Sequence, residues 1–261
     1  MDRTTRWNKV LELLAQEGRL TVQQAADALN VSTATIRRDF SELADQQMLR
    51  RTRGGALANG VAYDLPLRYK TTRQALEKQR ISAAAADLVA PGKVVGLNGG
   101  TTTTEVGRTL GARADASPGD NGPGLTIVTN ALNIGHELTV RPCVKIVMIG
   151  GVVRSRSYEV TGPLARAILS EVSLDMVFLG VDAVDPVAGA TAHNENEAST
   201  NNLMASRAKQ VIVVADSSKL GHTAFARICG IDQIDGLITD AAAPKPVVDD
   251  FRDAGIWVTL A

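Results

Sequence analysis

Trp7, Val10, Leu11 and Leu14 recur at the spacing of one face of an α-helix. Gly18 stands after them as a helix-ending glycine. A second apolar stripe, Val22, Ala25, Ala26 and Leu29, begins just after Thr21. Gln24 stands three residues beyond Thr21, which predicts a capping box at the start of that helix. Asn30-Val31-Ser32 breaks the pattern. Asparagine tolerates the left-handed backbone of a tight turn, and Ser32 is a good N-cap for a third helix. In the third stripe Ile36, Phe40 and Leu43 share one face. Ala34, Arg38, Ser41 and Asp45 lie opposite, with Thr35 and Arg37 flanking them. Arg50, Arg51 and Arg53 then crowd ahead of Gly54-Gly55, a pair that permits a tight reversal.

The pattern changes after residue 57. Residues 58–76 are mixed in character and read as a linker, with a long helix over about Arg73 to Val89. Beyond it, short apolar runs alternate with helical stretches. The runs are 93–97, 125–128, 144–149, 176–179, 210–214, 237–239 and 257–260. Strands alternating with helices predict an α/β domain with a mainly parallel sheet covered on both faces. Ala114 to Gly124 is rich in Gly, Pro and Asp and reads as a surface loop. The expected organisation is therefore 1–57, a helical DNA-binding domain with a wing; 58–76, a linker; and 77–261, an α/β domain.

Two short helices joined by a capped turn, the second carrying arginines outward, read as a helix-turn-helix. The competing reading is a small helical interaction domain with a solvated basic edge, which the capped turn, the arginine placement and the wing together disfavour. Arginine can donate two hydrogen bonds to guanine, and threonine can reach bases or phosphates. The candidates for DNA contact are Thr21, Ser32, Thr33, Thr35, Arg37, Arg38 and Ser41, with Arg51 and Arg53 in the wing. The 28 basic residues are balanced by 28 acidic ones over 261 residues. Binding therefore has to come from a local basic strip and from oligomer symmetry, not from a broadly basic chain. Asp39, Glu42 and Asp45 are expected to dilute the positive field of the third helix. No stretch is apolar enough for a membrane span, and the start lacks an apolar signal core, so a cytoplasmic protein is expected. Cys143 and Cys229 are isolated, which predicts two buried thiols and neither a disulfide nor a metal site. No cofactor is called for.

Polar segments come directly after several of the predicted strands. In an open α/β sheet that edge binds ligands. Asn98-Gly99-Gly100-Thr101-Thr102-Thr103 stands between a strand and a helix, where glycines and free N–H groups favour an anion. A phosphate and a plain capped turn fit it equally well. Asn130, Gly151, Asp182 and Lys219 come after other strands, and Glu197 opens a later helix. Singly, each could serve a turn or a cap. Their repeated position at one edge is the stronger signal. Asp182, Glu197 and Lys219 could also supply acid/base chemistry, so a sugar-phosphate isomerase with a helical appendage is the competing reading.

With these residues in view, the chain resembles the DeoR family of bacterial transcriptional regulators. The resemblance rests on Val31-Ser32, Thr35-Ile36-Arg37-Arg38-Asp39, Arg53-Gly54-Gly55-Ala56, Gly99-Gly100-Thr101-Thr102, Val128-Thr129-Asn130, Ile149-Gly150-Gly151, Glu197-Ala198, Ala215-Asp216-Ser217-Ser218-Lys219 and Leu237-Ile238-Thr239-Asp240. It implies a winged helix-turn-helix on double-stranded operator DNA and a sensor domain similar to ribose-5-phosphate isomerase. It further implies a homodimer or homotetramer that represses sugar catabolism genes and answers to a phosphorylated sugar. By the same resemblance Gly99 to Thr103 and Lys219 face the phosphate, and Asn130, Asp182 and Glu197 face the sugar. Asn98 and Asn201 depart from the family pattern, where many members carry an acidic residue and a lysine.

Overall fold

The structure is a computed structural model that describes residues 2–17, 19–45, 48–58, 74–116 and 124–261. Gly18, most of the predicted linker and the tip of the predicted surface loop lie outside these residues. The chain divides into two compact units, Met1–Tyr69 and Lys70–Ala261.

In the first unit α1 (Arg3–Glu17), β1 (Arg19–Thr21), α2 (Val22–Leu29) and α3 (Thr33–Asp45) precede a hairpin of β2 (Leu49–Thr52) and β3 (Gly55–Ala58). The three predicted apolar stripes meet in one core: Trp7, Val10, Leu11 and Leu14 pack with Val22, Ala25, Ala26, Ile36, Phe40 and Leu43. Burying this surface is what makes three short helices stable together, since helices of this length are marginal alone. Thr21 caps α2 as expected, its hydroxyl accepting from the Gln24 N–H and its own N–H donating to Gln24 Oε1 at 2.9 Å. Asn30 turns the chain in the left-handed region at φ 50°. Ser32 Oγ accepts the Thr35 N–H at 3.1 Å and so starts α3.

β1 lies outside the predicted elements. It is three residues long and pairs with β3, giving a sheet in the order β1-β3-β2. A Cβ on Gly55 would come within 2.4 Å of the Leu20 carbonyl, so only glycine lets β3 lie this close to β1.

In the second unit α4 (Ala75–Asp87) leads to β4 (Val94–Leu97), α5 (Thr101–Ala116), β5 (Leu125–Thr129), α6 (Leu132–Leu138) and β6 (Val144–Met148). A hairpin of β7 (Val152–Arg154) and β8 (Glu159–Thr161), then α7 (Ala165–Leu169), comes after β6. Next are β9 (Met176–Leu179), β10 (Ala183–Asp185), β11 (Gly189–Ala192), α8 (Glu195–Ser206), β12 (Val211–Val214) and β13 (Ala226–Cys229). The chain ends with β14 (Gly236–Thr239), α9 (Lys245–Asp253) and β15 (Trp257–Leu260).

All seven predicted strands form one sheet in the order β15-β14-β12-β9-β4-β5-β6, every pairing parallel. One face is covered by α4, α5 and α6 through Ile81, Ala85, Val106, Leu110, Ile134 and Leu138. The other carries Leu169, Ala198, Met204 and Phe251 from α7, α8 and α9. Strands buried on both faces read as unbroken apolar runs, which is why β9 and β12 were legible. The hairpin β7–β8 and the small antiparallel sheet β10-β11-β13 were not predicted, because their strands are short and polar-interrupted.

Some boundaries are corrected. Residues 75 and 76 of the predicted linker already belong to α4, and Ala58 belongs to β3. Ala114 to Ala116 of the predicted loop continue α5. Glu195 to Glu197 are the first turn of α8, capped by the Asn194 side chain. Cys229 is buried, and burial raises its thiol to about 11; Cys143 is only half-buried.

Candidate functional site

The first unit presents α3 and the hairpin as a single polar edge. Arg37, Arg38, Arg51 and Arg53 are exposed, as is Ser32, and Thr33 and Thr35 are half-buried beside them. Ser41 has a different place from the one expected. Its hydroxyl donates to the Arg37 carbonyl at 2.9 Å and accepts from Arg51 at 2.7 Å, so it ties the hairpin to α3. Thr21 is likewise engaged in the cap of α2.

Asp39 corrects an expectation. It does not dilute the exposed field of α3, because it is 1% exposed. Arg6 reaches its two oxygens at 2.6 and 3.0 Å, and the Trp7 indole donates to it at 2.8 Å. The same hydrogen bonding raises the pKa of the Arg6 guanidinium. An arginine and a tryptophan from α1 thus hold α3 by its inward carboxylate.

In the second unit the sheet order reverses at β4, whose neighbours β5 and β9 lead the chain to opposite edges. A crevice forms at such a reversal, outside the carboxyl ends of the strands. Asn98 stands after β4 and Gly180 after β9. The Asn98 amide accepts from the Gly180 N–H at 2.7 Å and donates to the Gly180 carbonyl at 2.9 Å. Asn98 is buried, and through these two bonds it clasps the two strand ends together.

The glycine turn lies beside this clasp. Gly100 has φ 146°, and its carbonyl accepts from the hydroxyls of Thr103 and Thr104 at 3.1 and 2.6 Å. Thr103 is fully buried, Thr102 is buried and Thr101 is half-buried. The threonine hydroxyls at 103 and 104 shape the turn, and the first N–H groups of α5 have no partner within the helix, a geometry that can accept an anion.

Over this turn lies a residue that local sequence pattern does not single out, Glu159. A Cβ added to Gly99 would meet the Glu159 side chain at 2.3 Å, so the carboxyl rests directly on the glycine. β8 is held in place on its other side: the Val160 N–H donates to the Asn130 carbonyl at 2.7 Å, and Leu132 N–H donates to the Tyr158 carbonyl at 2.9 Å. Glu159 Oε2 accepts from Asn130 Nδ2 at 3.1 Å and from Asn201 Nδ2 at 3.4 Å, and Asn130 Nδ2 also reaches Asn201 Oδ1 at 3.1 Å. Burial, then the nearby charges of Glu197 and Asp182, push the Glu159 pKa up to about 8, against the opposing pull of the two amides.

The remaining candidates border this cluster or share its edge. Glu197, 7% exposed in the first turn of α8, pairs with Arg154 of β7 at 2.9 Å. Asp182 accepts the His193 N–H at 2.9 Å. Gly151, at φ 147°, is a packing position: a Cβ there would lie 2.6 Å from the Thr161 carbonyl. Lys219 closes the 3₁₀ turn Ser217–Lys219 after β12, again at the carboxyl edge. Glu159 was hidden because it lies in a hairpin and not after a strand of the main sheet. The available signal was one acidic residue set between Tyr158 and the apolar Val160.

The family model for the DeoR-like helix-turn-helix domain matches residues 6–60, and that for the DeoR C terminal sensor domain matches residues 73–241. The chain belongs to the DeoR family. It is a DNA-binding transcriptional regulator of that family. Among its relatives, a putative aga operon transcriptional repressor of Escherichia coli O157:H7 is 33% identical over 98% of this chain and 93% of its own length. The glycerol-3-phosphate regulon repressor of Escherichia coli K12 is 30% identical over the whole of both. A ribose 5-phosphate isomerase A of Methanocaldococcus jannaschii aligns over 54% of this DeoR-family chain and 52% of its own at 20% identity, with a TM-score of 0.40. Among the described residues no helix is long and apolar enough to cross a membrane, and no group of three His, Cys, Asp or Glu could hold a metal ion.

Proposed function

We propose that this regulator represses genes for the catabolism of a sugar or sugar derivative and is released from its operator by a phosphorylated sugar. The observation that carries the reading is the polar cluster at the sheet reversal, where the Gly99-Gly100 turn, the start of α5, Asn130, Glu159, Glu197 and Asp182 gather at one strand edge. A phosphate fits the N–H groups of the turn, and acceptors along the far wall fit hydroxyls. Such relatives as the glycerol-3-phosphate regulon repressor carry names consistent with it. The isomerase reading has less support, because Glu197 is paired with Arg154 and Asp182 accepts a main-chain N–H.

The mechanism is a population shift: the effector favours an oligomeric state whose DNA-binding units no longer match the operator half-sites. A dimer would match half-sites one helical turn apart, about 34–36 Å. Gly99 to Thr103 and Lys219 hold the phosphate; Asn130, Asp182 and Glu197 hold the sugar. Thr33, Thr35, Arg37 and Arg38 read the major groove, while Arg51 and Arg53 hold the backbone.

A thermal-shift screen over phosphorylated sugars, then operator binding with each hit, tests this. Lys219→Ala is expected to abolish the thermal shift while leaving operator binding intact. Arg38→Ala is expected to weaken operator binding by about 1–3 kcal/mol and leave the thermal shift unchanged. Operator affinity indifferent to every sugar phosphate would refute the ligand-control half.

A further inference from the structure

Asn130 and Glu159 belong to one buried hydrogen-bonded cluster of the sensor unit. Asn130 is fully buried, and its Nδ2 is spent on Glu159 and Asn201. Its Oδ1, also buried, has no hydrogen-bond partner among the described residues. A buried carbonyl left unmatched is destabilising, and a group that donates to it would relieve that cost. Beside it, the two hydrogen bonds to the Glu159 side chain come from uncharged amides and both fall on Oε2. Oε1 is the oxygen that rests on Gly99, 2.4 Å from where a Cβ would stand. This places Oε1 next to the glycine turn, with Asn130 hydrogen-bonded to the other oxygen of the same carboxyl.

An occupant that brings several donors and a positive charge would satisfy the Asn130 carbonyl and stabilise Glu159 in its ionised form. A hydroxyl brings one proton and adds an acceptor of its own. An ammonium brings three donors, no acceptor and a positive charge. The charged groups around the carboxyl are Glu197 from α8, itself paired with Arg154 of β7, and Asp182 from the turn after β9. Both neighbouring acids add to the negative potential that a cation would relieve.

We propose that Glu159 and Asn130 receive a protonated amine of the effector, so that the ligand is a phosphorylated amino sugar. This rests on the sensor reading proposed for the same site and narrows it. In the free protein Glu159 holds a proton near neutral pH; docking of the ammonium ionises it. Binding of the amino ligand thus releases a proton from Glu159 that binding of the hydroxyl ligand does not.

The test is calorimetric titration of the full chain with matched pairs: glucosamine 6-phosphate against glucose 6-phosphate, and the two galactose counterparts. The amino member should bind on the order of tenfold tighter at neutral pH. At about pH 6.5, titrations in two buffers of different ionisation enthalpy should show up to one more proton released by the amino member. The shared phosphate cancels in that difference. Glu159→Gln should erase the preference while retaining the hydroxyl member, with effector-free operator binding as its check of folding. The wild-type proton count needs no variant.

Equal affinities, a preference for the hydroxyl member, or equal proton release would overturn the amine assignment. If other sugar phosphates bind and neither pair does, the amine assignment falls and the sensor reading stands. If none of the sugar phosphates binds, both fall.

Discussion

Replacing Asp39 with alanine is expected to abolish operator binding while the sensor unit melts and responds to ligand as before. The carboxylate is inside the fold, gripped by Arg6 and by the Trp7 indole. Arg6 is 14% exposed in its side chain, so removing its partner leaves a charge largely out of water with only the field of Asp2 and Glu42 to offset it. Breaking a buried pair from one side costs about 3–5 kcal/mol. A unit of about 60 residues has little more than that in reserve. The contrast with Arg38→Ala is the useful control. That side chain is exposed, so its loss should weaken binding without changing the melt. Circular dichroism melts paired with fluorescence anisotropy on operator DNA separate the two. An Asp39→Ala protein that melts and binds like wild type would show that the pair contributes nothing.

The second large effect is on pH dependence. Glu159 titrates at about 8 in the fold, against an ordinary value of 4.5. Between those values the folded chain holds a proton that the unfolded chain has released. Stability is therefore greatest at the acid end of that window and is lost as pH rises through about 8. The sensor unit's melting temperature should fall from about pH 5 to about pH 8, and Glu159→Gln, which needs no proton, should flatten the curve. Calorimetric scans across this range check it. A wild-type profile that rises with pH, or a Gln variant with the same slope, would remove Glu159 as the cause.

The helix-turn-helix and the main sheet were legible because each is written in a simple period. Trp7, Val10, Leu11 and Leu14 repeat at helical spacing, and β9 and β12 are runs of apolar residues. Capping chemistry fixed finer detail: Thr21 with Gln24, Asn30, and Ser32 all behave as their local chemistry requires. What stayed out of reach depends on long-range contact. Asp39 looked like one more surface acid because its partner, Arg6, is 33 residues away. Asn98 and Ser41 were polar residues near a site, and only the folded chain shows their hydrogen bonds already committed to Gly180, Arg37 and Arg51. Glu159 was missed for a related reason. Its hairpin comes after the edge strand β6 yet brings its second strand back to the carboxyl ends of β4 and β5, and no local pattern records that return.

Thr21 is both the last residue of β1 and the cap of α2, and β1 is paired residue by residue with β3. The wing therefore cannot swing independently of the helix pair: its strand and the start of α2 are one continuous hydrogen-bonded seam, with Val22 N–H also bonded to the Gly54 carbonyl at 2.9 Å. A reader built this way behaves as a stamp with a fixed frame. With the groove contacts proposed above, new operator sequences would be reached by exchanging the side chains at 33, 35, 37 and 38, not by re-aiming the backbone that carries them.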